Sequence, residues 1–229
     1  MALKGKNVLI GFEDGGFMGI GEAIARQVTA EGANLALFAR SKVIFKAIDL
    51  QSYEAVETAV NETVNKFGTI DILINNAGLA LGAPAAFLDL KPSDIVTMNS
   101  TNINGLMFVT YAVLNSSMLS RKEGTILNIT SVTSLEVPPF SGEALNGTNV
   151  RVLALRPGIV ATNFHSLRVG HDKEKYDSFI EGYTADDIAG AAIYMLNQPL
   201  RISVKTLDVV PSAQRPLTVF DRSWTERNA

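Results

Sequence analysis

The chain has 229 residues, 47% of them apolar and 19% charged, with a formal net charge of −3 and no cysteine. That length supports one substantial core and is short for two ordinary domains joined by a linker. The charge leaves no basic surplus for nucleic acid or an anionic membrane surface, and the lack of cysteine excludes disulfides and thiolate metal sites. The Met1–Asn7 start has two lysines but no apolar signal-peptide core, and no run of eighteen apolar residues occurs, so a cytoplasmic protein without a membrane or nucleic-acid partner is expected.

The first expected strand, Asn7–Ile10, runs into Gly11-Phe-Glu-Asp-Gly-Gly-Phe-Met-Gly-Ile-Gly21, and a helix begins at Gly19 with Ile20, Ala23, Ile24 and Val28 on one face. Strands are expected next at Asn34–Phe38 and Val43–Ile48, with only a few residues between them. A helix starts at Ser52 and carries Val56, Val60, Val64 and Phe67, spaced by four, four and three, along one side. Further strands are read at Ile70–Ile74, Thr125–Ile129 and Val150–Leu155. The last helix, Ala185–Leu196, has Thr184 as N-cap, Asp187 at the capping-box position and Ile188, Ala191, Ala192 and Met195 facing inward. Val204–Val210 closes the series. Strands alternating with helices of this length imply an α/β fold with a mainly parallel sheet covered on both faces, because parallel neighbours need long crossovers. Residues 1–210 are read as one domain and 211–229 as a tail, mobile or ordered by contact.

Gly15, Gly19 and Gly21 stand at a G-x-x-x-G-x-G spacing between a strand and an amphipathic helix. Such a turn lets the backbone approach a pyrophosphate, which the helix N-terminus and its free N–H groups then meet; the alternative is a tight turn with no ligand. On the first reading this turn is the expected entry to a Rossmann-type, doubly wound nucleotide-binding domain. At the end of the second strand, where a carboxylate would grip a ribose 2′-hydroxyl, the chain has Phe38-Ala39-Arg40-Ser41-Lys42. A guanidinium there suits a 2′-phosphate, so NADP is favoured over NAD, unless Arg40 and Lys42 are only a solvated loop. The two histidines, His165 and His171, have no carboxylate or thiolate company at metal-ligand spacing, so no metal is expected.

From Lys4 to about Ser212 these residues resemble the classical short-chain dehydrogenase/reductase family. Asp49-Leu50 is similar to its adenine-binding acidic pair, and Asn75-Asn76-Ala77-Gly78 to its NNAG segment. Asn102 matches the catalytic asparagine, Ser131 of Leu127-Asn-Ile-Thr-Ser131 the catalytic serine, and Pro157-Gly158-Ile-Val-Ala-Thr162 the motif flanking the nicotinamide. The chain end, Asp208-Val-Val-Pro211 and Gln214, looks most like the NADP-dependent 3-hydroxy acid dehydrogenase branch. The resemblance implies NADP(H)-dependent hydride transfer with a small alcohol or carbonyl substrate. Ile20 would lie with the glycines at the cofactor, Ser131 would hydrogen-bond the reacting oxygen, and Asn102 would anchor a relay water.

Three places depart from the family pattern. Its Tyr-x-x-x-Lys motif should follow the serine by a dozen or so residues, yet no Tyr occurs between Tyr111 and Tyr176 and no Lys between Lys122 and Lys173. The stretch from Ser131 through Pro138-Pro139, Gly142 and Gly147 has no helical period, so helices are expected to be missing after the second and fifth strands, leaving apolar sheet surface uncovered. The absent helix also removes the surface on which relatives commonly build a homo-oligomer. The connection from Phe38 to Val43 is too short for a parallel crossover, which requires those strands to pair differently or one to be displaced. Glu13 and Asp14 in the glycine turn would repel a pyrophosphate unless they point away. Tyr176 and Lys173, in reversed order, read as a solvated helix face rather than as replacements. Segments lost or altered would account for all three departures; the competing expectation is an inactive nucleotide-binding or interaction protein, or a truncated non-functional member.

Overall fold

The computed structural model describes residues 3–11, 19–39, 46–81, 90–131, 147–169, 171–174, 176, 184–214, 221, 223–224 and 227. Its centre is a sheet of seven strands: β1 (Asn7–Gly11), β2 (Asn34–Ala39), β3 (Lys46–Ala47), β4 (Ile72–Asn75), β5 (Glu123–Ile129), β6 (Asn149–Pro157) and β7 (Thr206–Val209). The order is β3-β2-β1-β4-β5-β6-β7 and every neighbouring pair is parallel. Because side chains alternate across a strand, β1 sends Val8 and Ile10 to one face and Leu9 to the other, all buried. A sheet buried on both faces needs apolar residues at consecutive positions, which is why Ile72–Ile74 and Ile126–Leu127 read as unbroken apolar runs.

One face is covered by α1 (Gly19–Ala30) and α7 (Ala185–Leu196), whose Ile24, Val28, Ile188 and Met195 pack on Ile10, Ile74, Leu127 and Leu155. The other takes α2 (Tyr53–Phe67) and α4 (Leu106–Val113) against Leu9, Phe38, Leu73 and Ile126. The Ser52 hydroxyl accepts from the Ala55 N–H at 3.3 Å, and the Asp187 carboxylate accepts from the Thr184 N–H at 2.8 Å. Both helix starts therefore lie where the capping residues predict. A short helix, α6 (Asn163–Arg168), follows β6.

Residues 92–121, assigned no element in the sequence reading, form one helical rod: α3 (Pro92–Asn99), a π-helical turn (Ser100–Gly105), α4, a second π-helical turn (Leu114–Met118) and α5 (Leu119–Arg121). Thr101, Gly105, Val109, Val113 and Ser117 are all buried, at steps of four. In a regular α-helix each such step advances the face by about 40°, roughly 160° over the four steps. Each π turn accommodates about one extra residue, roughly 100°, so two of them return the stripe to the sheet. The Ser117 hydroxyl then bridges to the strand entrance, accepting from the Ile70 N–H at 2.8 Å and donating to its carbonyl at 3.2 Å.

The expected conflict between the second and third strands is corrected. β3 is two residues long and lies parallel to the end of β2, with Phe38 opposite Lys46 and Ala39 opposite Ala47. The chain therefore retreats by about two residues, roughly 7 Å, rather than by a full strand. The length rule for crossovers applies to strands that start together at the opposite edge, so the six residues between Ala39 and Lys46 are enough for this connection. The segment after β5 where a helix was expected to be missing, 132–146, lies outside the described residues, as does Val43–Phe45 of the predicted third strand. Val150 and Val152 of β6, which pack with the α2 and α4 face, are only partly buried.

At the opposite edge of the sheet the buried Arg151 guanidinium donates to the Thr125 hydroxyl at 3.1 and 3.2 Å and to the carbonyls of Gln198 at 3.0 Å and Ile202 at 3.1 Å. Burial lowers its pKa, and its role is to tie the loop after α7 to β5 and β6.

Candidate cofactor and active site

Strand order decides where a ligand can enter. From β1 the chain builds outward through β2 to β3 on one side and through β4 to β7 on the other, so β1 and β4 flank a topological switch point with a crevice beyond their C-terminal ends. Gly11 of β1, Asn75 of β4 and Asn128 of β5 lie side by side in register at that edge. The described candidate residues follow these ends: Gly19, Ile20 and Gly21 after β1, Asp49 and Leu50 after β3, Asn76–Gly78 after β4, Ser131 after β5, and Gly158–Thr162 after β6. Residues separated by more than a hundred positions are thereby collected along one rim. Gly15, Arg40 and Lys42, with Glu13 and Asp14, lie outside the described residues.

Gly19 opens α1 with φ of +71°, a conformation that a side chain strains, and a Cβ there would meet Thr162 Cβ and Cγ2 at 3.4 Å. Gly19, at the entry to α1, and the threonine of the Pro157–Thr162 motif thus face each other across the crevice. A glycine that opens a helix at positive φ, leaving the first N–H groups of that helix at the crevice, is what a pyrophosphate requires, and the residues present fit a dinucleotide in this respect.

Asn75 is buried and donates to Asn128 Oδ1 at 2.9 Å and to the Thr110 hydroxyl at 3.0 Å, tying β4, β5 and the rod together beneath the rim. Asn102 lies in the first π turn. Its Oδ1 accepts from the Leu79 N–H at 2.8 Å and its amide donates to the Leu79 carbonyl at 2.7 Å. Both ends of the side chain are engaged with the segment that follows Asn76-Ala77-Gly78, so the side chain acts as a backbone clamp. Gly78 lies under it, with Asn102 Oδ1 3.8 Å from the position of a Cβ.

Asp49 is exposed and accepts from the Gln51 N–H at 2.9 Å. Leu50 is buried, reaching toward Gly11 and packing under Gly105, where a Cβ would lie 3.2 Å from Leu50 Cβ. Leu50 therefore supports the rim from below. Ser131 is half-buried two residues past the end of β5, and the preceding Thr130 N–H donates to the Leu155 carbonyl at 2.9 Å.

β6 and β7 are held together next to the site by Arg156, which donates from Nε and Nη2 to the two Asp208 oxygens at 2.6 and 2.7 Å. Those hydrogen bonds hold the Asp208 carboxyl below the usual carboxylate range. Asn128, Thr110 and Gln214 are supporting residues that sequence reasoning did not assign; Asn128 and Gln214 stood within quoted motifs, whereas Thr110 had no local signal.

Among the described residues no other titratable group replaces the missing acid and base. Lys173 is exposed and Tyr176 half-buried, beyond α6. Tyr53 is on α2, donates to Glu57 at 2.7 Å and is pushed up to about 12 by that bond. His165 is buried in α6, and burial, aided by Arg168, pushes it down to about 4. Among the described residues no helix is long and apolar enough to cross a membrane, and no group of acidic or histidine residues could hold a metal.

Comparison with known proteins agrees with this layout. Residues 12–144 match the short chain dehydrogenase family. The chain is similar to serine 3-dehydrogenase of Agrobacterium fabrum, 33% identical over 87% of this chain and 92% of that one. It is also 31% identical to NADP-dependent 3-hydroxy acid dehydrogenase YdfG of Salmonella typhi, covering 87% and 94%. Among solved structures it is similar to the closed form of serine dehydrogenase complexed with NADP+, with a TM-score of 0.78 and 27% identity over 91% of this chain and 96% of that one. With the matched region exceeding half its length and its motifs collected at one rim of a parallel sheet, the chain belongs to the short-chain dehydrogenase family.

Proposed function

We propose that the chain is an NADP(H)-dependent short-chain oxidoreductase that moves hydride between the nicotinamide and a small alcohol or carbonyl substrate of the 3-hydroxy acid class. The observation that carries this reading is the collection of Gly19–Gly21, Asn76–Gly78, Ser131 and Gly158–Thr162 beyond the ends of adjacent parallel strands. The names of the relatives support the cofactor and the substrate class. Gly15 and the N-terminus of α1 would meet the pyrophosphate and Arg40 the 2′-phosphate, with Asp49 at the adenine end. When bound, the cofactor supplies the hydride donor or acceptor.

Ser131 would donate a hydrogen bond to the reacting oxygen, where negative charge develops. Alcohol oxidation also releases a proton from that oxygen. With no Tyr or Lys between Ser131 and Lys173, that proton would pass to solvent, and the loss of a positioned acid/base slows turnover by about 10²–10⁴-fold. Residues 1–210 would form the nucleotide-binding domain and 211–229 its tail, in a cytoplasmic protein.

Calorimetric titration with NADPH, against NADH as control, tests the reading. It expects an NADPH dissociation constant below about 50 µM, clearly tighter than for NADH, and a loss of that preference in Arg40→Ala. It also expects slow serine-dependent NADP+ reduction. Absence of NADPH binding would refute the proposal; binding without any turnover would restrict it to cofactor binding.

A further inference from the structure

The motif that follows β6 does not stand alone. The Gly158 N–H donates to the Val209 carbonyl at 2.8 Å, and the next N–H, that of Ile159, donates to Gln214 Oε1 at 3.3 Å. Gln214 is 7% exposed and closes a turn in which its own N–H donates to the Pro211 carbonyl at 2.8 Å. A Cβ on Gly158 would lie 2.5 Å from Gln214 Oε1 and 3.2 Å from both Pro211 Cδ and Val210 Cγ1. The segment after β7 therefore presses on the Gly158 backbone with no intervening side chain. Beyond this clip, the same loop reaches Thr162, which touches the position of a Gly19 Cβ at 3.4 Å.

We propose that Gln214 is a positioning residue for the nicotinamide half of the cofactor, fixing the Gly158–Ile159 backbone through its amide oxygen while taking no part in holding the adenine half. The inference rests on the NADP reading above. The physical reason is that Ile159 is buried, at 9% exposure. Its N–H needs an acceptor that water cannot replace, and among the described residues that acceptor is a side chain from the C-terminal segment. An apolar residue would fill the same space and leave the loop height unspecified. On that reading the adenine end would lie past β2 and β3, which stand at the far side of the sheet from this clip.

The test compares NADPH with 2′,5′-ADP, which carries the adenine and 2′-phosphate but no nicotinamide. Gln214→Met keeps the volume and removes the acceptor. It should weaken NADPH by about five- to tenfold, the equivalent of one lost hydrogen bond, and leave 2′,5′-ADP within about twofold. Equal weakening of both ligands, or no change in either, overturns the proposal. In the unmutated chain NADPH should slow amide exchange at Ile159 and Gln214 and 2′,5′-ADP should not; the same slowing by both also overturns it, whether or not the variant folds. An unmutated chain that binds neither ligand refutes the cofactor reading itself and removes this inference with it.

Discussion

Asn102→Ala should destabilise the fold by about 2 kcal/mol and loosen the segment at Leu79 specifically. The wild-type side chain makes two hydrogen bonds to one residue, at 2.7 and 2.8 Å, each worth roughly 1 kcal/mol net. The Leu79 side chain is 9% exposed, so water does not fully replace those partners. Asn102→Asp separates the two halves. A carboxylate still accepts from the Leu79 N–H but cannot donate, and it places a charged oxygen against the Leu79 carbonyl. At neutral pH the aspartate should therefore be at least as damaging as alanine, and it should become milder in acid, as protonation restores a donor. Urea denaturation with unchanged m-values gives the stability, and amide exchange at Leu79 gives the local effect. An alanine variant within about 0.5 kcal/mol of the parent, with Leu79 exchange unaltered, would show that the clamp contributes nothing.

Two further perturbations follow from packing and charge. His165 is held down to about 4 by burial and by Arg168, so the unfolded chain binds its proton first. Stability should fall as the pH drops from about 6.5 toward 4, by up to about 3 kcal/mol, and His165→Gln should flatten that part of the urea-derived profile; parallel profiles would exclude the effect. Gly124→Ala would place a Cβ 2.6 Å from Met118 Cγ, with Met118 fully buried. It should cost about 1–3 kcal/mol by overpacking, and in a double-mutant cycle with Met118→Ala, followed by thermal melts, the combined loss should be smaller than the sum of the two single losses.

What could be read from the sequence was whatever local spacing determines. The stripe Val56–Phe67 and the Ser52 and Thr184 caps carry their own information, and the structure finds those helices in place. The glycine, NNAG and PG segments were recognisable as short motifs because each needs its residue types side by side. The rod at 92–121 was not legible, since a step-of-four stripe matches neither a regular helix nor a strand until the π turns are known. β3 was misread because the crossover rule presumes strands of ordinary length. The clamp by Asn102 and the clip by Gln214 join residues 23 and 55 positions apart, and no local pattern announces the partner.

The widened turn at Ser100–Gly105 amounts to a built-in insertion. Deleting one residue from it would let the helix wind regularly, a change that propensity alone would favour. The same deletion would twist Leu106–Val113 by about 100° relative to Pro92–Asn99, carrying either Val109 and Val113 off the sheet or Asn102 away from Leu79. In alignments of related chains, a gap in that turn should therefore travel with a changed partner for the backbone at 79, even where every flanking residue is identical.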